Sequence, residues 1–195
     1  MPDTFDLLIW AGNEALFLWD RKRGELDPLI YPVSPEPIPG LPRHCLLWED
    51  SKAQTDALRR RAGAGLLSRR RVLLAVPDDA SWVERRALED FVRMACIERH
   101  GEKGLVLRPQ GELLGAGDYL ALNWSCRCVT ASLVRGGRAV QRRHMALPPA
   151  GPLEELLTSL GPYPVYSPAL EPPPLELPPC AWRSLEVLGA QALGR

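Results

Sequence analysis

Residues 71–117 of the chain read RVLLAVPDDASWVERRALEDFVRMACIERHGEKGLVLRPQGELLGAG. The apolar run from Val72 to Val76 predicts a buried strand, and Pro77 ends it because proline has no N–H for a sheet ladder. Ser81 and Glu84 then have the spacing of a capping box, which opens helices. The stretch therefore begins with a strand that is followed by a helix.

The predicted helix carries one apolar stripe at helical spacing, formed by Val83, Ala87, Phe91, Met94 and Ala95. A second apolar run, Leu105 to Leu107, predicts another strand, and Pro109 is suited to open a short helix after it. The sequence thus predicts a unit of strand, helix, strand and helix.

This unit resembles a known family. The segments VPDDASWVERRALEDFVRMA and LVLRPQGELLGAG are similar to the central part of the MreB branch of the actin-like ATPases, where "VP…VERRA…A" leads to "L…EP.AAA.GAG". The superfamily also includes the seventy-kilodalton heat-shock chaperones and the pilus protein PilM. The resemblance implies a ribonuclease-H-like core and a fold that holds ATP between two halves.

The predicted fold class is α/β, a ribonuclease-H-like, actin-like core with a mixed sheet flanked by helices. Since actin-like ATPases are much longer than 195 residues, we expect the lateral subdomains to be reduced or missing. Residues 1–150 are predicted to form this core. Residues 151–195 are predicted to form a C-terminal extension, with a short helix, a strand and a closing helix, packed on the core. The alternative is a free-standing ribonuclease-H-like domain with no kinship to actin.

The first phosphate loop implied by the resemblance falls at AGNE, a Gly-Asn turn that joins the apolar runs 6–10 and 15–19 into a hairpin. The family has a pattern close to "DLGT" here, with an aspartate that acts through magnesium. Gly12 can be matched to the glycine of that pattern, which puts Trp10 where the aspartate belongs, and a match shifted by one residue puts Ile9 there. In both cases the carboxylate is missing. Tryptophan offers no oxygen ligand to magnesium.

The second implied phosphate loop falls at residues 123–134, NWSCRCVTASLV, where the family carries "DLGGGT". Asn123 replaces the aspartate, while Ser125, Cys126 and Arg127 replace three glycines, whose backbone amides can only cradle phosphate when no Cβ intrudes. We therefore predict no catalytic residues, no enzymatic activity, no cofactor and no metal. Residual nucleotide binding would involve the residues that line both turns: Gly12, Asn13, Asn123, Ser125 and Arg127.

The overall composition limits the classes of partner. The formal net charge is zero and the sequence pI is about 6.8, which argues against a dominant nucleic-acid or membrane-surface role. No run of 18 apolar residues and no signal peptide occurs, so a soluble, cytoplasmic protein without a transmembrane segment is expected. The five cysteines show no repeated C-x-x-C pair and are interpreted as reduced thiols.

Two arginine clusters flank a Gly-Ala turn and comprise Arg59, Arg60, Arg61, Arg69, Arg70 and Arg71. They are interpreted as a solvated helix end, where arginine also favours the helix dipole, with contact to nucleic acid or an acidic partner as the alternative. Asp78 and Asp79 are interpreted as negative charges near a helix N-terminus.

The functional hypothesis is a protein-interaction scaffold or regulator of actin-like fold with degenerate nucleotide motifs, acting in bacterial cell shape, division or pilus assembly. Trp48, Trp82 and Trp182 are candidate contacts to a protein partner or to a second copy, because interfaces favour aromatic anchors. Two alternatives stay open: a nucleic-acid-associated ribonuclease-H-like module that uses the arginine clusters, and a protein that retains weak nucleotide binding.

Overall fold

The secondary structure of the chain was obtained from a computed structural model, which describes residues 5–24, 26–34, 36, 38–63, 70–96, 104–147 and 153–192. The elements up to residue 113 are β1 Leu7–Ala11, β2 Ala15–Asp20, β3 Leu26–Ile30, a 3-10 helix Arg43–Trp48, α1 Ser51–Arg61, β4 Val72–Val76, α2 Trp82–Cys96, β5 Leu105–Pro109 and a 3-10 helix Gln110–Leu113. The following elements are β6 Tyr119–Trp124, β7 Cys128–Arg135, β8 Arg138–Ala146, α3 Leu153–Thr158, β9 Val165–Pro168, β10 Ala181–Arg183 and α4 Leu185–Ala192.

The strands form two five-stranded sheets of the same topology. The first has the order β3-β2-β1-β4-β5, with an antiparallel meander of β1, β2 and β3 followed by parallel β4 and β5. The second has the order β8-β7-β6-β9-β10, again an antiparallel meander followed by two parallel strands. The predicted mixed sheet with flanking helices is confirmed, and the same arrangement occurs twice.

Both faces of the first sheet are buried, which explains why β1 and β4 are continuously apolar. One face, including Leu7 and Ile9, packs with Leu58 of α1 and Phe91 of α2. The opposite face packs against the second sheet and α4 in an apolar seam formed by Leu8, Trp10, Trp19, Leu73, Ala75, Leu114, Tyr119, Ala121, Val134, Leu185 and Leu188. A third cluster joins the outer face of the second sheet to α3. The sheets are therefore inner layers between helices.

The capping box of α2 forms as the sequence predicts. Ser81 N donates to Glu84 Oε2 over 2.6 Å, and Glu84 N donates to Ser81 Oγ over 3.2 Å. The predicted apolar stripe is confirmed in part, since Phe91 and Ala95 are buried while Val83 is 67% exposed. The buried side of α2 begins only at Leu88.

Two predictions concern the C-terminal region. The sequence predicts one helix over residues 182–193, but Trp182 lies in β10 and α4 begins at Leu185. Ser184 separates the two elements, and its carbonyl accepts the N–H of Leu188. The predicted domain division at residue 150 falls between β8 and β9 of the second sheet, and it stays a prediction.

Helix α4 returns to the first sheet and contacts β2 closely. A Cβ added at Gly189 would lie 2.1 Å from Cδ1 of Trp19, so only glycine allows the helix this approach. None of the described helices is both long and apolar enough to cross a membrane.

We expect Gly189→Ala to lower the free energy of unfolding by about 1–3 kcal/mol, because overpacking at Trp19 outweighs the higher helix propensity of alanine. Urea denaturation measures this, with Val187→Ala on the exposed side of α4 as the control. The control should change the free energy by less than about 0.5 kcal/mol. A Gly189→Ala protein as stable as the wild type would contradict the packing of α4 on β2.

Candidate functional site

The two predicted phosphate-loop turns face one cleft between the sheets. The turn after β1, residues 12–14, and the turn after β6, residues 125–127, line a common cavity with Pro77 and Asp79, which follow β4. A neighbouring cavity adds Leu170 and Glu171, which follow β9. Crevices at the carboxyl ends of parallel strands are where open α/β sheets bind ligands. The shared position makes this cleft the candidate site.

The first turn binds a carboxylate of the chain itself. The carboxylate of Glu171 accepts the backbone N–H of Asn13 over 2.8 Å and that of Glu14 over 2.8 Å. It also accepts a hydrogen bond from the side-chain amide Nδ2 of Asn13 over 3.0 Å. A Cβ at Gly12 would lie 2.7 Å from Oε1 of Glu171, so the missing side chain lets the carboxylate approach. This turn is therefore an anion-binding turn, and its ligand is Glu171.

The second turn is held by an ion-pair network. Arg127 donates from Nε to Asp79 over 3.0 Å, and from Nη1 and Nη2 to Glu84 over 2.8 and 3.2 Å. Ser125 Oγ donates to Asp79 over 2.7 Å. Burial opposes ionisation of Glu84, but hydrogen bonds from Arg127 and Ser81 lower its pKa below the ordinary value. The network ties the second sheet to the start of α2.

Asp78 is the most deeply buried carboxylate of the cleft, with its side chain 1% exposed. Its Oδ2 accepts the N–H of Gly111 over 2.9 Å and Nδ2 of Asn123 over 2.5 Å. Burial raises its pKa to about 6, although Arg142, Gly111 and Asn123 oppose the shift. The interpretation of Asp78 and Asp79 as helix-end charges is incomplete. Asp78 binds Gly111 of the second 3-10 helix and Asn123 of β6, while Asp79 binds Ser125 and Arg127 of the turn after β6.

A magnesium-bound nucleotide, as the resemblance implies, does not fit this cleft as it is folded. Trp10 is 2% exposed and belongs to the apolar seam, and the amides of the first turn already bind Glu171. The two cavities measure about 10 and 20 Å³, which is room for about one water molecule each. Side chains of the protein fill the space between the turns.

All five residues predicted for residual nucleotide binding lie at the cleft. Gly12, Asn13, Ser125 and Arg127 line one cavity, and Asn123 lines the other. Each of them contacts or closely approaches another part of the chain, so a nucleotide-binding role stays a prediction. The sequence analysis missed Glu171, because it lies in a proline-rich segment 158 residues from Asn13.

His44, Cys45 and Glu84 form a further cluster beside the second turn, with possible ligand atoms within 4.8 Å of one another. Burial lowers the pKa of His44 to about 4, although Glu84 opposes the shift. Glu84 already accepts hydrogen bonds from Arg127 and from Ser81. Its carboxylate is therefore committed to the ion-pair network, and we assign no metal to this cluster.

The arginine clusters make contacts within the protein. Arg59 pairs with Asp56 over 2.7 Å and also donates to backbone carbonyls of α2. Arg61 pairs with Asp27, Arg70 pairs with Asp20, and Arg71 lies over the ring of Phe5. Arg60 is exposed, and Arg69 lies outside the described residues. These contacts favour the interpretation as a structural helix end over a nucleic-acid surface.

The three candidate tryptophans are all exposed to solvent. Trp82 is 78% exposed, Trp48 40% and Trp182 46%. Trp48 packs edge-on against Phe91 of α2, with ring centroids 6.0 Å apart, and Trp182 packs similarly against Trp124 at 6.2 Å. Trp82 is therefore the most available of the three for contact with a partner.

No protein-family model and no curated protein sequence matches the chain, whereas solved structures do. MreB5 of Spiroplasma citri bound to ADP is 16% identical, with a TM-score of 0.48, and the match covers 72% of this chain and 52% of that one. An exopolyphosphatase from Cytophaga hutchinsonii is 9% identical, with a TM-score of 0.40 and coverage of 84% and 66%. The cytoplasmic domain of EpsL from Vibrio cholerae is 12% identical, with a TM-score of 0.42 and coverage of 97% and 94%.

This chain has the actin-like fold. Two sheets of one topology, each an antiparallel meander followed by two parallel strands, confirm the prediction. The chain spans about half the length of the MreB5 protein that it matches, 52%.

The prediction that the chain is not an enzyme is contradicted by the comparison, since exopolyphosphatase and Ppx/GppA phosphatase structures are among the similar folds. That prediction rested on the loss of two aspartates and three glycines from the implied phosphate loops. The structure shows why the argument was too narrow: Asp78, which follows β4, places a carboxylate oxygen 2.5 Å from Nδ2 of Asn123. The prediction is withdrawn.

We expect Asp78→Asn to change how stability depends on pH. The pKa of Asp78 is about 6 in the folded protein against 3.8 for the free side chain, so its contribution to stability falls as pH rises from about 4 to 6. Asparagine does not ionise. The difference in free energy of unfolding between the variant and the wild type should therefore shift in favour of the variant as pH rises from 4 to 7. The shift should be on the order of 3 kcal/mol, at about 1.4 kcal/mol per pKa unit.

Urea denaturation at several pH values measures this difference. Asp118→Asn is the control, because its carboxylate is 49% exposed on the surface. Parallel pH profiles for the wild type and Asp78→Asn would show that the carboxylate of Asp78 does not have a raised pKa.

Proposed function

We propose that this chain works by binding another protein, as a scaffold or regulator built on the actin-like fold. The observation that carries the proposal is the exposure of Trp82 at the start of a firmly anchored helix. Involvement in cell shape, division or pilus assembly remains a hypothesis that comes from the sequence resemblance.

Trp82 presents a large apolar surface to solvent on a rigid support. It is 78% exposed, and the next residue, Val83, is 67% exposed. The capping box of Ser81 and Glu84 fixes this turn, and Arg127 anchors Glu84 from the second sheet. A rigid aromatic side chain loses little conformational entropy on binding, and tryptophan is enriched among residues that dominate binding energy.

Trp48 is a second exposed aromatic residue that contacts α2. Its ring packs on Phe91, so its position is also fixed while 40% of the residue stays exposed. Because Phe91 lies on the buried side of α2, nine residues from Trp82, we define the α2 surface as Trp82 and Val83 alone. Interfaces of this kind have an aromatic centre with polar residues around it, and Arg86 and Asp90, which pair on α2, provide polar surroundings.

We expect Trp82→Ala to abolish recovery of the partner. A truncated hot-spot residue costs at least about 2 kcal/mol, which is roughly a 30-fold loss of affinity. The tagged protein would be purified from its own cells as wild type, as Trp82→Ala and as Val140→Ala. Val140 is the matched control, because it is 58% exposed on β8 of the other sheet.

The wild type and Val140→Ala should recover the same protein at near-equal amounts, and a photo-crosslinker at position 82 should attach to it. Sizing of the purified chain distinguishes a second copy from a different partner. Equal recovery by Trp82→Ala would rule out the α2 surface, and a strict monomer that recovers no protein would rule out the proposal.

A further inference from the structure

The contact between Glu171 and the turn of residues 12–14 has the form of a ligand in a site. Two backbone N–H groups and one side-chain amide converge on a single carboxylate, at distances of 2.8, 2.8 and 3.0 Å. Hydrogen bonds to an ionised acceptor are about twice as strong as neutral ones. Consecutive backbone N–H groups that point to one concave spot are a common way for proteins to bind anions.

The site is shaped for the approach of an oxyanion. Gly12 leaves the space into which Oε1 of Glu171 enters, since a Cβ there would be only 2.7 Å away. The carbonyl of Gly12 accepts the hydroxyl of Tyr31 over 3.2 Å, which fixes the turn from the opposite side. Glu14, whose backbone N–H binds Glu171, pairs its own carboxylate with Arg43. The turn is thus preorganised, and its neighbouring negative charge is compensated.

Glu171 comes from the other half of the fold. It follows β9 of the second sheet directly after Leu170, which packs against the apolar seam. Ala169 is held by β10 through its N–H to the carbonyl of Arg183 over 2.8 Å. After Glu171 the chain continues with Pro172, Pro173 and Pro174, which have no backbone N–H to donate. The carboxylate of Glu171 is therefore a polar attachment of this segment to the first sheet.

We infer that Glu171 is the resident anion of the turn of residues 12–14. Its carboxylate fills the place that a free oxyanion would take, and it latches the segment after β9 across the cleft between the two sheets. A carboxylate offers two acceptor oxygens and a phosphate group three, so either can accept from the three donors. Removal of the Glu171 carboxylate converts an internally satisfied turn into one that binds small oxyanions from solution.

The test is a titration of the full-length chain followed by the amide signals of Asn13 and Glu14 in ¹⁵N–¹H NMR spectra. The probes are inorganic phosphate and acetate, which separate phosphate from carboxylate chemistry. In the wild type, both signals should appear downfield, as expected for N–H groups bound to a carboxylate, and neither probe should move them. In Glu171→Ala, both signals should move upfield, and phosphate or acetate should restore the downfield positions in a saturable manner.

Glu176→Ala is the matched control, because it removes an exposed carboxylate from the same proline-rich segment. Its spectra should be those of the wild type at both amides. Glu171→Gln keeps the side-chain size if the alanine variant does not fold, and it should show a weaker but saturable response. If the amide signals of Asn13 and Glu14 are identical in the wild type and in Glu171→Ala, the carboxylate of Glu171 is not bound to this turn. If the amide signals of Asn13 and Glu14 move upfield in Glu171→Ala but neither phosphate nor acetate shifts them back, the turn does not bind oxyanions from solution.

Discussion

The apolar seam between the two sheets is the constraint on which the rest of the structure depends. Leu8, Trp10 and Leu73 on one side meet Tyr119 on the other, and each is at most 2% exposed. Because β1 must bury both of its faces, no polar side chain can stand on it until the strand ends at Ala11. The cleft therefore begins where the seam stops, and Trp10 closes the seam at the place where the sequence resemblance implies an aspartate.

The polar groups beyond the seam must then find partners in the opposite half of the fold, since buried polar groups without hydrogen bonds are costly. Three carboxylates accept such hydrogen bonds across the cleft, although Oδ1 of Asp78 has no hydrogen-bond partner among the described residues. Asp78 accepts from Asn123, Asp79 accepts from Arg127, and Glu171 accepts from Asn13. Asp78 and Asp79 follow a strand of the first sheet and bind residues of the second sheet. Glu171 follows a strand of the second sheet and binds a turn of the first. Charges of the chain itself thus define the distance between the halves.

Local signals predicted the parts of the fold that depend on neighbours in sequence: the strand Val72–Val76, the capping box of α2 and the hairpin turn after β1. Family patterns also brought Gly12 and Arg127 to one cleft. Glu171 could not be found this way, because its partner Asn13 is 158 residues distant and no motif joins them. Of the predicted α2 stripe, Phe91 and Ala95 are buried but Val83 is exposed, because helical periodicity does not show which part of a helix the rest of the fold covers.

The most direct test of the closed cleft is the rate of hydrogen exchange at the backbone amides of Asn13 and Glu14. Both lie in a hairpin turn, where an N–H that faces water exchanges rapidly, while these two donate to Glu171 over 2.8 Å. We predict that both amides are protected in the wild type and lose protection in Glu171→Ala, whereas the amides of Leu8 and Ile9 in β1 stay protected in both proteins. Rapid exchange at Asn13 and Glu14 in the wild type would contradict the account.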